Sequence, residues 1–198
     1  MQVTDAIYKR RAIRSYQDRM VDEDTLRLIL AAAVQAPSAI NQQPWSFAII
    51  QDKDLLRNYS DQAKQLVLNS MGADSPLSNF RETLSDPNFN IFYNAGTLLV
   101  IYGKDDSAGA AEDCCLAAEN LMLSALDFGL ATCPIGFARA WLNQPSVKRE
   151  LNIPAEYTAV FPIIIGYPQS EVPPVPRRDP EVVAWRRTTS HRDTLSHV

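Results

Sequence analysis

The segment 36–45 reads APSAINQQPW and lies between two different hydrophobic patterns. Before it, residues 22–36 carry apolar side chains at helical spacing behind an acidic N-cap candidate, which predicts an amphipathic helix that ends at Pro37. After it, residues 45–51 (WSFAIIQ) predict a strand. The loop between them holds several amide donors and acceptors in a constrained turn, an arrangement that suits recognition of a flat heteroaromatic ring. The alternative is a simple capped turn that leads into a strand.

Helix and strand patterns alternate along the rest of the chain. Asp52 is a candidate N-cap for a helix after the first strand, and residues 97–103 (TLLVIYG) predict a buried strand. Ser107 is the candidate cap of a long apolar helix that runs to Phe128 and stops at Gly129. The remaining predicted elements are a short strand at 131–134, a helix opened by Pro145 and a strand at 158–166.

Two segments lack the regular spacing of apolar residues that is typical of a packed helix or strand. Residues 70–94 are rich in Ser, Asp, Pro and Asn and are longer than ordinary connections, so we interpret them as a candidate substrate lid. From about residue 168 the chain is rich in Pro and Arg, which predicts an extended C-terminal arm. The arm keeps Val182, Val183 and Trp185, and we expect these side chains to dock, with a partner subunit as one candidate surface.

Size and charge limit the classes of protein that are consistent with this pattern. The 198 residues, 46% of them hydrophobic, are enough for one compact core, so we expect a single domain over 1–198 that includes the arm. The formal net charge of -4 argues against a nucleic-acid partner or an anionic membrane surface. The sequence has neither an apolar run of about 18 residues nor an apolar region behind its first basic residues, so we expect a soluble, cytoplasmic protein.

The three cysteines do not indicate a disulfide. Cys114 and Cys115 are neighbours on a predicted helix, so their side chains point about 100° apart, which favours packing over pairing. Cys133 is either a nucleophile or a small core residue, and the absence of a histidine near it in sequence favours the core. This use of cysteine is typical of a reducing compartment.

Several kinds of chemistry lack the residues that they need. Both histidines, His191 and His197, lie in the predicted arm, which argues against a Ser-His-Asp triad or a histidine-rich zinc site. The seven glycines form neither GxGxxG nor GxxxxGK, so a dinucleotide-binding Rossmann turn and a P-loop are excluded. A phosphorylated cofactor would therefore have to be held by side chains.

Five arginines in two clusters are suited to such a phosphate. They are Arg10, Arg11 and Arg14 near the N-terminus, and Arg177 and Arg178 behind a Pro-rich segment. Guanidinium groups bind phosphate oxygens in bidentate geometry and stay charged when partly buried. The alternative is that both clusters are solvated surface charge, which is the usual role of a basic triplet. The amide-rich loop at 36–45 favours the first interpretation.

Four motifs together resemble those of the nitroreductase-like flavoproteins in order and spacing. They are KRRAIRSY (9–16), APSAINQQPW (36–45), LATCPIG (130–136) and PRRDP (176–180). The resemblance covers nearly the whole chain, and the first two motifs in tandem are specific. It implies an α+β fold with a central, mostly antiparallel sheet flanked by helices. It also implies an intertwined homodimer with one flavin mononucleotide (FMN) in each of two sites at the dimer interface.

The activity that the resemblance implies is that of an oxidoreductase. NADH or NADPH reduces the flavin, and a nitroaromatic, quinone or similar small-molecule acceptor then takes the electrons in a ping-pong cycle. The alternative within the same fold is a flavin-binding or flavin-modifying protein without nitroreductase turnover. A dimeric α+β scaffold with incidental arginines is a third interpretation.

The first motif is implied to bind both ends of the cofactor. The segment that meets the phosphate and the ribityl chain is matched by Arg10, Arg11 and Ala12. Arg14 matches a basic position beside the pyrimidine edge of the ring, where a positive charge stabilises the anion that develops at N1–C2=O on reduction. Arg14 is therefore expected to tune the flavin, while the flavin itself carries the chemistry.

The other motifs are implied to complete the site. The loop that reaches a flavin held mainly by the other subunit is matched by Pro37, Ser38, Ala39 and Asn41, with Gln43 in support. The turn whose backbone lies beside the ring, with an amide donor for N5 and O4, is matched by Pro134, Ile135 and Gly136. The basic pair that closes on the phosphate is matched by Arg177 and Arg178, and an asparagine near the ring by Asn88 or Asn90.

The chain departs from the family pattern at several positions. Many relatives have a hydroxyl residue in place of Ala12 and a second serine in place of Ala39, so two flavin hydrogen bonds are missing. At about 0.5–1.5 kcal/mol each, their loss weakens FMN binding without abolishing it. Several relatives also have a glutamate between the positions of Ile135 and Gly136, which this chain lacks. The chain is short for the family, so we expect an inserted lid helix of larger members to be reduced or absent.

Overall fold

The computed structural model describes residues 1–72, 75–104 and 109–187. In this part of the chain the helices are α1 (Val3–Lys9), α2 (Glu23–Ala33), α3 (Lys53–Ser70), α4 (Arg81–Ser85), α5 (Ala110–Ala125), α6 (Arg139–Leu142) and α7 (Pro145–Glu150). The strands are β1 (Trp45–Ile50), β2 (Thr97–Gly103), β3 (Ala131–Pro134) and β4 (Thr158–Gly166). All four strands, together with α2, α3, α5 and α7, correspond to predicted elements.

The strands form one antiparallel sheet in the order β1-β2-β4-β3. β2 lies between β1 and β4, and all of its residues are buried. A bulge between Ile101 and Tyr102 interrupts the pairing of β2 with β4. With helices packed on the sheet, the predicted α+β class with a central antiparallel sheet is confirmed.

β2 separates two hydrophobic cores, one on each face of the sheet. Leu98, Val100 and Tyr102 pack with α3, α4, α6 and α7, whereas Leu99 and Ile101 pack with α2 and α5. Side chains of a strand point alternately to its two faces, so a strand covered on both sides needs apolar residues at every position. This explains the continuous apolar run at 98–102.

Local hydrogen bonds begin α2 and α3 where the sequence predicts, whereas α2 ends at Ala33, before its predicted end at Pro37. The Asp22 carboxylate accepts from the Thr25 N–H at 2.8 Å and caps α2, and the Asp52 carboxylate accepts from the Leu55 N–H at 2.9 Å and caps α3. Gly129, with a φ of 67°, ends the 3-10 turn that follows α5. Ser107, the predicted cap of that long helix, lies outside the described residues, and α5 begins at Ala110.

Three short helices were not predicted. α1 exposes Val3, Ile7 and Tyr8 and buries only Ala6, so its apolar side chains form no face directed into the core of the chain. α4 has five residues and lies inside the predicted lid, and α6 has four. Helices of one turn are too short to show a period of 3.6 residues in sequence. The lid role of 70–94 stays a prediction.

The predicted arm leaves the sheet after β4. Residues 169–187 are exposed and contain neither helix nor strand. Its inclusion in a single domain over 1–198 stays a prediction, and His191 and His197 lie outside the described residues. Among the helices of the described ranges, none combines the length and the apolar character that a membrane crossing requires.

Candidate functional site

The N-terminal arginine segment is fixed at two places against the edge of the sheet. Ala12 forms a parallel bridge with Thr132 of β3. A few residues later the Gln17 N–H donates to the carbonyl of Tyr167, just beyond β4, at 2.9 Å. Because the backbone is held on both sides, Arg14 has a defined position relative to the end of β3.

Arg14 lines a cavity of about 350 Å³ together with the predicted turn at 134–136. The other lining residues, which sequence reasoning missed, are Leu77, Ile91, Tyr93, Cys133 and Phe137. One guanidinium group therefore lies in largely apolar and aromatic walls, next to a backbone turn. We call this space the Arg14 cavity.

The turn beside the Arg14 cavity presents a backbone donor. The Ile135 N–H is not available to a ligand, because it donates to the Pro162 carbonyl at 2.9 Å. The Gly136 N–H, at the start of a 3-10 turn, has no acceptor among the residues that the structure describes. A Cβ placed on Gly136 would meet no atom within 4 Å. The turn thus borders open space, and its amide is available to an acceptor atom of a bound ring.

A second and more polar cavity, of about 260 Å³, shares Arg14 and Tyr93 with the first. Both asparagines considered from sequence, Asn88 and Asn90, line it. The Asn90 side chain is buried and engaged, since its Oδ1 accepts from the backbone two residues later at 2.8 Å and its Nδ2 donates to Asn94 at 3.3 Å. Asn88 is exposed, its backbone N–H donates to the Asp86 Oδ1 at 2.8 Å, and its side-chain amide makes no hydrogen bond within the described residues.

Tyr93 connects the two cavities. Its φ of 51° lies in the left-handed region, which aromatic residues rarely adopt. The centroid of its ring lies 5.8 Å from the guanidinium carbon of Arg14, within the range of a cation–π interaction. The ring also packs edge-on against Phe89, with centroids 5.6 Å apart. The sequence signal is a cluster of aromatic residues in the predicted lid, and nothing in it distinguishes Tyr93 from its neighbours.

Arg10 and Arg11 have different surroundings from Arg14. The Arg10 Nε lies 3.5 Å from the Glu119 carboxylate on α5. Arg11 donates from Nη1 to the Arg10 carbonyl at 2.7 Å, but its buried Nε has no acceptor in the described part of the chain. Arg11 lines another cavity, of about 390 Å³, between α1 and the start of the arm. A phosphate at Arg10 would have to share that guanidinium with Glu119.

The loop at 36–44 is ordered but lies outside the cavities described above. The residues Ile40, Asn41 and Gln43 all have positive φ values, of 45°, 56° and 49°. The Ser38 Oγ accepts from the Gln43 N–H at 2.9 Å, and the Gln43 side chain donates to Asn41 Oδ1 at 3.0 Å. Pro37 is exposed, and the Ala39 N–H donates to Asp113 on α5 at 3.2 Å. The structure does not bring this loop together with Arg14 in one protomer.

The second arginine cluster is also separate from the first within one chain. Arg177 and Arg178 are exposed on the arm. In the described residues neither makes an ion pair or a side-chain hydrogen bond. Their predicted contact with the same phosphate as Arg10 is not formed within the protomer and stays a prediction.

The two buried cysteines, Cys133 and Cys114, lack the environment of a nucleophile. Burial raises the pKa of the Cys133 thiol above its ordinary value, and the nearby charges of Arg14 and Arg10 offset only part of this effect. A thiol that stays protonated at neutral pH is a weak nucleophile. Burial likewise raises the pKa of Cys114 to about 12. Over the described ranges no group of three or more His, Cys, Asp or Glu residues is arranged to hold a metal ion.

Comparison with known proteins gives the family. The model of the Nitroreductase family matches residues 7–167, and the chain belongs to this family. A protein of Bacillus subtilis named FMN reductase (NAD(P)H) is 30% identical over 208 residues, which cover 100% of this chain and 78% of that protein. A protein of Archaeoglobus fulgidus named putative NADH dehydrogenase/NAD(P)H nitroreductase is 29% identical over 165 residues, 83% of this chain and 84% of that protein.

Solved structures show the same fold. A nitroreductase with bound FMN from Desulfitobacterium hafniense superposes with a TM-score of 0.78 at 23% identity, over 93% of this chain and 100% of that one. An iodotyrosine deiodinase bound to FMN and 3-iodo-L-tyrosine superposes with a TM-score of 0.70 at 24% identity, over 95% and 100%. These likenesses confirm the predicted fold class.

Proposed function

We propose that this protein is an FMN-dependent oxidoreductase that takes electrons from NADH or NADPH and passes them to a nitroaromatic, quinone or similar flat acceptor. The proposal includes a homodimer with FMN at its interface. The observation that carries it is the Arg14 cavity, where the guanidinium of one motif lies in the same walls as the amide turn of another. A permanent positive charge and a backbone donor on one cavity with apolar and aromatic walls suit an electron-accepting ring.

The unsatisfied donors fit the two ends of FMN. The buried Arg11 Nε without an acceptor can donate to a phosphate oxygen. The Gly136 N–H, which borders open space, can donate to the ring. Residues 10 to 14 span at most about 14 Å in an extended chain, enough to separate the phosphate end from the ring end of an elongated cofactor. FMN, when bound, supplies the two-electron chemistry.

The chain's own residues would bind, orient and tune that cofactor. Arg14 places a positive charge where negative charge accumulates when the ring accepts electrons. Leu77, Phe137 and Tyr93 form walls that limit water around the ring and suit a flat aromatic acceptor. The names of the Bacillus subtilis and Archaeoglobus fulgidus relatives support the nicotinamide donor.

Exposed apolar side chains support the homodimer. Ile40, at the tip of the loop, is 90% exposed and has a positive φ, which costs energy for a β-branched residue. Val183 and Trp185 on the arm are 90% and 72% exposed. A strained loop and an extended arm that both present apolar side chains to solvent are suited to docking on a second subunit. Docking of that kind would also bring Ser38, Asn41 and Arg178 toward a flavin.

Anaerobic mixing of the purified protein with NADH and with NADPH tests this function. We expect a yellow protein whose flavin absorption bleaches on mixing and returns when a nitroaromatic or quinone is added. A yellow protein that neither nicotinamide reduces would support the alternative, a flavin-binding protein without such turnover. A protein that binds no FMN in titration would contradict both.

A further inference from the structure

Lys64 on α3 is a buried cation, and all three N–H donors of its ammonium group have acceptors. Its side chain is 6% exposed. The ammonium donates to the Asp86 carbonyl at 3.1 Å, to the Phe89 carbonyl at 2.6 Å and to the Asp61 carboxylate at 3.0 Å. A buried ammonium is tolerated only when its donors are satisfied, and these three acceptors satisfy it.

Ser60 holds the same segment from the preceding turn of α3. Its Oγ accepts from the Ile91 N–H at 3.0 Å, and the residue is fully buried. Residues 60 and 64 are four positions apart, so their side chains lie on one face of the helix. Together they fix two carbonyls and one amide of the segment 86–91.

This segment and its continuation form a wall of the Arg14 cavity and of the polar cavity beside it. Ile91 and Tyr93 line the first, and Asn88, Phe89 and Tyr93 line the second. Tyr93 and Asn94 have φ values of 51° and 55°, a left-handed conformation that a tyrosine rarely adopts unless its surroundings impose it. The last of these hydrogen bonds to α3 is that of the Ile91 N–H, two residues before Tyr93.

We propose that Lys64 is a positioning residue for the cofactor site: by fixing residues 86–91 it holds Tyr93 against Arg14 and Asn88 toward the ligand. Lys64 touches no ligand and acts through these residues. The inference rests on the proposed function, since it assigns Lys64 to the FMN site of that function.

Hydrogen exchange on the full chain tests the positioning role without any cofactor. Lys64→Met keeps the bulk of the side chain and removes the three donors, and Ser60→Ala removes one acceptor. Tyr59→Phe is the matched control, because it removes a hydrogen bond, 2.7 Å long, that joins α3 to Glu150 of α7 and not to this segment. We expect exchange over residues 87–94 to be at least tenfold faster in Lys64→Met, faster at Ile91 in Ser60→Ala, and unchanged in Tyr59→Phe.

Titration of the same proteins with FMN tests the consequence for the site. The dissociation constant should rise at least fivefold in Lys64→Met, by less in Ser60→Ala, and not in Tyr59→Phe. Equal effects in all three variants, or unchanged exchange and affinity in Lys64→Met, would overturn the proposal. If Lys64→Met does not fold, Ser60→Ala decides by the same criteria. A wild-type chain that binds no FMN would contradict the proposed function, while the exchange comparison would still decide whether Lys64 orders the segment.

Discussion

At the scale of single residues, Arg10 and Arg14 have different surroundings and should have separable effects. Arg14 lies beside Gly136 and Tyr93 in the cavity proposed for the ring, so its charge matters most when the ring has accepted electrons. Arg14→Ala should lose about 1.5–3 kcal/mol of stabilisation of the reduced cofactor, which lowers the two-electron reduction potential by roughly 30–60 mV. Spectroelectrochemical titration measures this shift, and Arg14→Lys, which keeps the charge, should show a smaller one.

Arg10 should affect the affinity for FMN rather than its reduction potential. Arg10→Ala should weaken binding of oxidised FMN by at least tenfold, because a charge-assisted bond to the phosphate is worth about 1.5–3 kcal/mol. Riboflavin lacks the phosphate and serves as the control ligand, so its affinity should hardly change. Equal losses for FMN and riboflavin in Arg10→Ala would mean that the phosphate does not lie at Arg10.

At the scale of elements, Gly166 at the end of β4 and Gly136, two residues beyond the end of β3, should respond differently to a methyl group. A Cβ on Gly166 would lie 2.9 Å from the Tyr16 ring, and Tyr16 supports the arginine segment through its hydroxyl, which donates to the Ile13 carbonyl at 2.7 Å. Gly166→Ala should therefore destabilise the protein by about 1–3 kcal/mol. Thermal or denaturant unfolding measures this cost, with Gly72→Ala, where a Cβ meets nothing within 4 Å, as the control.

Gly136→Ala should give the opposite result. The added methyl meets no protein atom within 4 Å, so the free energy of unfolding of the apoprotein should stay within about 0.5 kcal/mol of wild type. The methyl would occupy space at the Arg14 cavity, and FMN affinity should fall at least fivefold. A Gly136→Ala protein with wild-type FMN affinity would argue against a ring beside this turn.

At the scale of the whole molecule, FMN binding and dimerisation should be coupled. If Ser38 and Asn41 serve a flavin held mainly by the partner, FMN bridges the two subunits, and mass action requires dilution to release it. Flavin fluorescence and sedimentation, followed over a dilution series, should show both dissociations in the same concentration range. A stable monomer that keeps stoichiometric FMN would refute the bridging arrangement.

The strands and longer helices were predictable because their signals are local. The caps at Asp22 and Asp52 use hydrogen bonds to residues three positions away, and the run at 97–103 reflects burial on both faces of one strand. α1 was not predictable, because its apolar side chains face away from the protomer's core. α4 was not predictable either, because a helix of five residues is too short to show the helical period of apolar residues in sequence.

The sequence by itself determined the fold class, the positions of the strands and the residue types suited to a phosphate and a flat ring, since these depend on periodicity, capping and motif order. Only the tertiary structure decided which of those residues share a cavity: Arg14 and Gly136 do, whereas Arg178 and the loop at 36–44 lie apart from them in one protomer. Tyr93 and Lys64 also emerged only from the structure. Their roles depend on a backbone conformation and on contacts between distant segments, and no local pattern of residues encodes either.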